Sequence, residues 1–211
     1  MPENVILLHG LWMRGFALAM LRHRFTQAGF AVDVFDYLSV AAPLEHTLER
    51  LRERLHAAAG NVHLVGHSLG GLVALRACHG HDDLPEGRIV CMGSPLNGSA
   101  AAHRLAESGA AWMLGHSKAL LEHGLSRWDG GRQVGVVAGC KPLGLGAALG
   151  SIEGAHDGSV AVAETRLPGI TDHCVVPASH SGLLFSADAA RQASHFLRWG
   201  RFDHGAGGAG T

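Results

Sequence analysis

The segment Val62–Gly71, VHLVGHSLGG, leaves this chain the fewest ways to fold. Val62 to Val65 has the length and apolar character of a buried strand. From Leu69 the chain reads as a helix running to about His79, with Leu72, Val73, Ala74 and Leu75 supplying its apolar residues. Only Gly66, His67 and Ser68 separate the two elements, and Gly70 follows at once. Glycines flanking the turn let the strand and helix backbones approach with no Cβ between them. A strand that passes so abruptly into a helix is the first half of a βαβ unit, which implies parallel strands.

The rest of the chain repeats this alternation. Asn4–Leu8 is a central strand candidate that ends at His9-Gly10. Phe16, Leu18, Leu21 and Phe25 have helical spacing over 15–28, and Gly29 stops that helix. Phe30, Val32 and Val34 alternate as in a strand. Leu44, Leu48, Leu51 and Leu55 lie on one helical stripe over 44–59. Ile89–Met92, Val134–Ala138 and a strand ending at Val175-Val176-Pro177 complete the set, and 183–198 form the last helix. The fold class is therefore α/β: a mostly parallel central sheet with helices on both faces. Residues 1–202 read as a single domain, and the Gly- and Ala-rich 203–211 as a flexible tail. Residues 99–128 are helical in pattern but broken by Gly109, Gly115 and Gly124. They follow a strand, where open α/β sheets carry their ligand loops, and read as a short helical cap.

The chemistry of the turn is specific. Gly66-His67-Ser68-Leu69-Gly70 is a G-x-S-x-G sequence set between a strand and a helix, which projects the serine hydroxyl above the sheet. The helix that starts at Leu69 directs its amide end, with its partial positive charge, toward the same place. Phosphate-loop spacing and the Lys-Ser/Thr pair of that motif are absent.

With these residues in view, the chain resembles the α/β-hydrolases of the lipase/esterase kind with a G-H-S-x-G nucleophile turn, over about residues 4 to 200. His9-Gly10-Leu11 is similar to the family's turn after the first core strand, which implies that the Leu11 N–H, with that of Leu69, forms the oxyanion hole. Gly93-Ser94-Pro95-Leu96-Asn97-Gly98-Ser99 is similar to a segment that follows the next strand. His156-Asp157-Gly158-Ser159-Val160 is similar to the family's acid segment, with His in place of Asn.

A serine hydroxyl needs an imidazole to take its proton and a carboxylate to fix that imidazole. Sixteen histidines make the base a real choice. His180 follows the last strand, in a loop at the same sheet end as Ser68. His173 precedes that strand and falls at the opposite end; His195 lies in the final helix and His204 in the tail. Asp157 is the expected acid, because it lies between Ser68 and His180 in the chain order of this fold. Asp129, Glu153 and Glu164 remain alternatives, and Asp172 shares the placement problem of His173. His9 is expected to brace its turn. Trp12 and Met13 are expected to form an acyl wall, His67 to line the pocket or pack beside it, and Trp112 and Met113 to contribute from the cap.

The expected reaction is hydrolysis of a small apolar acyl ester, of short or medium acyl length, through an acyl-enzyme at Ser68. It requires no metal and no organic cofactor. Transfer to another acceptor, or thioester cleavage, uses the same residues, and a non-catalytic binding protein is a third reading. The net charge of −1, with only Lys118 and Lys141 as lysines, offers no basic surface for nucleic acid. The N-terminus lacks a basic region followed by a long apolar stretch, and no segment has the length of a membrane span, so a cytoplasmic location is expected by default. Oligomeric state is not legible. Cys78, Cys91, Cys140 and Cys174 are widely spaced, without a C-x-x-C pair, and read as reduced thiols.

Overall fold

The computed structural model describes residues 3–143 and 152–205. Among them, six parallel strands form one sheet in the order β2-β1-β3-β4-β5-β6: β1 Asn4–Leu8, β2 Ala31–Phe35, β3 Val62–His67, β4 Ile89–Met92, β5 Val134–Gly139 and β6 Asp172–Val176. Every strand residue of β3, β4 and β5 is buried, as expected for strands covered on both faces. Successive side chains of β1 enter opposite cores. Ile6 and Leu8 pack with α2 (Leu44–His56) and α3 (Leu69–Cys78), whereas Val5 and Leu7 pack with α1 (Ala19–Gln27) and α6 (Ala187–Trp199). Strand order reverses between β1 and β3, and the C-terminal ends of those two strands frame the point where α/β sheets hold ligands.

Local detail departs from the sequence pattern in three places. The helix expected over 15–28 starts as a 3₁₀ turn, Gly15–Leu18, and becomes α-helical only at Ala19. The last helix starts at Ala187, because Ser186 Oγ accepts the Ala189 N–H as its N-cap; Ser181–Leu184 is a separate 3₁₀ turn. β6 begins earlier than the apolar run suggests, at Asp172. The segment 99–128 contains α4 (Ala100–Leu105) and α5 (Lys118–His123), with short irregular turns between them, and has positive φ at Gly109, Gly115 and Gly124. In the C-terminal segment, Asp203 N–H donates to Gln192 Oε1 (2.9 Å) and His204 Nε2–H to Asp172 Oδ1 (2.9 Å); residues 206–211 lie outside the described residues. Cys78, Cys91 and Cys174 are buried and Cys140 is half-buried, all as free thiols.

The junction of β3 and α3 fixes how these parts meet. A Cβ at Gly66 would run into the backbone of Gly70 and Gly71. A Cβ at Gly70 would stand 2.5 Å from Leu8 O and 2.8 Å from His9 O, at the end of the neighbouring strand β1. The obstacles are backbone atoms, which cannot rotate away. Gly70→Ala is therefore expected to lower unfolding free energy by about 2–3 kcal/mol or more, whereas Gly131→Ala, into open space, stays within about 0.5 kcal/mol of wild type. Urea unfolding followed by circular dichroism reads both; a silent Gly70→Ala contradicts the close approach.

Candidate active site

Because all six strands are parallel, the loops after their C-terminal ends share one edge of the sheet. Ser68 follows β3 there with φ 54° and ψ −122°, a conformation that costs a non-glycine residue about 1–3 kcal/mol. The strain is held by the glycine-lined junction and by Ser68 N–H, which donates to Met92 O at the end of β4 (2.9 Å). The serine is half-buried, at the N-terminus of the ten-residue helix α3.

Asp157 and His180 meet beside it. His180 Nδ1–H donates to Asp157 Oδ2 at 2.7 Å, and His180 N–H donates to Asp157 O at 2.8 Å, so side chain and backbone tie the two loops together. The other carboxylate oxygen, Oδ1, accepts the N–H groups of Ser159 (2.9 Å) and Val160 (2.8 Å). The carboxylate is 1% exposed and has its acceptors engaged, which a buried anion needs. The His180 ring keeps 16% of its surface exposed. A Cβ at Gly93, the residue after β4, would lie 3.1 Å from Asp157 Oδ2 and 3.3 Å from His180 Nδ1. Ser68 and the Asp–His pair thus rest on adjacent residues, Met92 and Gly93. Among the described residues, no hydrogen bond joins Ser68 Oγ to His180. In ligand-free hydrolases that bond is often long and tightens with substrate.

The remaining candidate acids are engaged elsewhere. Asp129 pairs with His79 (2.8 Å), Glu164 accepts the Ala100 and Ala161 N–H groups, and Asp172 accepts the Phe202 N–H at the far end of the sheet. Glu153 is exposed. His173 lies on β6 at that far end, with Nε2–H donated to Thr165 Oγ1 (2.8 Å). Neither Leu11 N–H nor Leu69 N–H has an acceptor among the described residues, which leaves both as donors at the edge that carries Ser68.

His67 is 2% exposed, beneath His180 rather than on an open pocket wall. Its Nε2–H donates to His180 O (2.9 Å), its ring centroid lies 4.8 Å from that of His180, and burial pushes its pKa down to about 3. It therefore acts as a neutral brace. His9 is buried, stacks on Tyr37 at 4.3 Å and donates Nδ1–H to Gly10 O (2.9 Å); Tyr37 O–H donates to His9 O (2.7 Å). Burial lowers the His9 pKa although Asp36 Oδ1 lies 3.2 Å from its Nε2. Asp36 is held down to about 2 chiefly by the hydrogen bond from Arg14. Trp12 and Trp112 are largely exposed, at 53% and 77%, while Met13 and Met113 pack partly against the cores. Tyr37 and Ser39 carry site geometry that no local sequence pattern assigns to them, whereas Gly93 opens the Gly93–Ser99 segment already singled out in the sequence. The only signal for Tyr37 and Ser39 is their position just after β2.

Residues 5–198 match the family model described as the alpha/beta hydrolase family. Among solved structures, the mature lipase BlEst2 of Bacillus licheniformis is similar at 19% identity and a TM-score of 0.72, over 92% of this chain and 90% of that one. A pyrethroid hydrolase of Sphingobium faniae gives 14% identity and 0.67, over 94% and 98%. The phospholipase PlaB of Legionella pneumophila gives 14% and 0.57, over 78% of this chain and 45% of that one. At these identities the likeness is one of fold. No curated protein matches the sequence.

Four histidines, His9, His63, His67 and His173, are pushed below the ordinary value of 6.5, in each case mainly by burial. The unfolded chain takes up protons on them near pH 6.5 while the folded chain does not, so stability falls as pH drops below that value. The urea midpoint is expected to be lower at pH 5 than at pH 7.5. His173→Gln, which cannot titrate there, should show a smaller decline; an unchanged slope contradicts the assignment.

Proposed function

Because the chain belongs to the alpha/beta hydrolase family, we propose that it is a serine hydrolase that cleaves carboxylic esters of short or medium apolar acyl groups. The observation that carries this reading is the Asp157–His180 pair, bonded at 2.7 Å next to a turn whose serine has a left-handed backbone. Ser68 Oγ attacks the ester carbonyl carbon as His180 Nε2 takes its proton. Asp157 holds Nδ1–H, so that Nε2 is the basic nitrogen, and stabilises the imidazolium. The carbonyl oxygen becomes an oxyanion between the Leu11 and Leu69 amides. Collapse expels the alcohol with the proton from His180, leaving the acyl group on Ser68. Water then attacks the acyl-enzyme, giving its proton to His180, and the acid leaves as Ser68 is restored. Each step uses a group of this chain, substrate or water.

Apolar chemistry around the serine supports the substrate class. Met13 Sδ and Ser68 Cβ both border Gly10, so an apolar side chain stands beside the serine. The neighbours in fold named a lipase and a pyrethroid hydrolase support hydrolysis of apolar substrates.

Two measurements test the reading. A fluorophosphonate is expected to label the wild type at Ser68 and to leave Ser68→Ala unlabelled; no labelling of folded wild type overturns it. Asp157→Asn should reduce kcat/KM on a p-nitrophenyl ester by roughly 10²–10⁴-fold, because the amide can hold the ring in the wrong tautomer; the same change in a serine-protease triad costs about 10⁴. Asp129→Asn, with circular dichroism as the folding check, should stay within about tenfold of wild type.

A further inference from the structure

Among the described residues, two non-glycine residues have positive φ: Ser68, and Trp12 at 58°. Trp12 follows Leu11, in a turn closed by Met13 N–H to Gly10 O (3.4 Å). It occupies the third position of that turn, where positive φ normally selects glycine or asparagine. Such an outlier persists only when its surroundings over-determine it.

Three loops supply those surroundings. Trp12 N–H donates to Ser39 Oγ at 3.1 Å, and the indole Nε1–H donates to Met113 O at 2.8 Å. Ser39, after β2, is buried, and its carbonyl accepts Ser117 Oγ–H at 2.6 Å. The next carbonyl, Val40 O, accepts the His116 N–H at 3.1 Å. Gly115, with φ 54°, permits this approach, since a Cβ there would collide with Val40 O. The turn after β1, the loop after β2 and the cap segment Met113–Ser117 therefore form one hydrogen-bonded unit.

We propose that Ser39 and Trp12 are positioning residues for the oxyanion hole, and that the cap, through Met113 and Ser117, holds them in place. This rests on the reading of the site as a serine hydrolase. The Leu11 amide is one peptide unit before the strained residue, in the same turn. If Trp12 relaxes to negative φ, the Leu11–Trp12 peptide plane turns over and its N–H leaves Ser39. The Leu11 N–H belongs to the preceding peptide, and its place depends on the seat of the whole turn, which the Trp12 bonds to Ser39 and Met113 tie to the loop after β2 and to the cap. Oxyanion donors act on the transition state, so loosening one lowers kcat and leaves ground-state binding nearly unchanged. A cap that merely covered the substrate would instead alter KM.

The test compares wild type, Ser39→Ala and Trp12→Phe, each checked for folding by circular dichroism. Ser39→Ala removes the acceptor of the Trp12 N–H; Trp12→Phe keeps a ring and removes the bond to Met113. The readouts are kcat and KM on p-nitrophenyl butyrate, and Ki for butylboronic acid, whose tetrahedral adduct on serine places an oxygen in the oxyanion hole. Ser39→Ala should lower kcat about tenfold, hold KM within about threefold, and raise Ki in parallel with the loss of kcat. Trp12→Phe should move the same quantities in the same direction by less. A folded Ser39→Ala with wild-type kcat and Ki, or with a change in KM alone, overturns the positioning role and leaves the hydrolase reading intact. If Ser39→Ala does not fold, unchanged kcat and Ki in folded Trp12→Phe overturn it. Wild type that neither turns over the ester nor reacts with a fluorophosphonate overturns the hydrolase reading, and the positioning role with it.

Discussion

The close approach of α3 to the end of β1 governs how the other elements can be arranged. Gly70 lies against Leu8 O and His9 O with no room for a side chain, and Gly66 lies against the first turn of α3 in the same way. This brings a helix N-terminus, a strained serine and the turn after β1 to one place. It also sets the distance between the two amides proposed to hold the oxyanion, Leu11 in the turn and Leu69 on the helix. The strain at Ser68 is stored locally and balanced by packing: Leu69, Leu72 and Val73 are fully buried in the core on the α2–α3 face.

The Asp157–His180 pair is organised by a different means. Its two loops have little regular structure, so hydrogen bonds do what packing does at the serine. Asp157 is engaged through both carboxylate oxygens, its N–H and its carbonyl, the last two with Val160 and His180. His180 is held through its ring, its N–H and its carbonyl, the last by His67. A neutral, buried His67 suits that role, since a second cation 4.8 Å from the His180 ring would oppose protonation of the base.

The edge of the sheet at β2 completes the arrangement. Tyr37 stacks on His9 and bonds its carbonyl, Asp36 accepts from Gly15 N–H and Arg14, and Ser39 accepts from Trp12. These contacts converge on the turn between His9 and Gly15 from the loop after β2. The turn makes few backbone hydrogen bonds of its own, so its shape is borrowed from its neighbours.

The parallel α/β architecture and the serine turn were legible in the chain alone, because both rest on local rules. Apolar runs of strand length alternate with helical stripes, and the Gly66–Gly70 spacing allows one kind of close junction. Chain order also put Asp157 and His180 after successive strands of a parallel sheet, on the edge that carries Ser68. Helix starts at Ala19 and Ala187 were less legible, since a single cap or a 3₁₀ turn shifts them without changing the apolar period. The role of His67 emerged only once the chain was packed, because its hydrogen bond to His180 spans 113 residues of chain. The same holds for Trp12, Ser39 and Ser117, which meet from three separate loops. No local pattern reports a left-handed tryptophan; its conformation is imposed by acceptors 27 and 101 residues away.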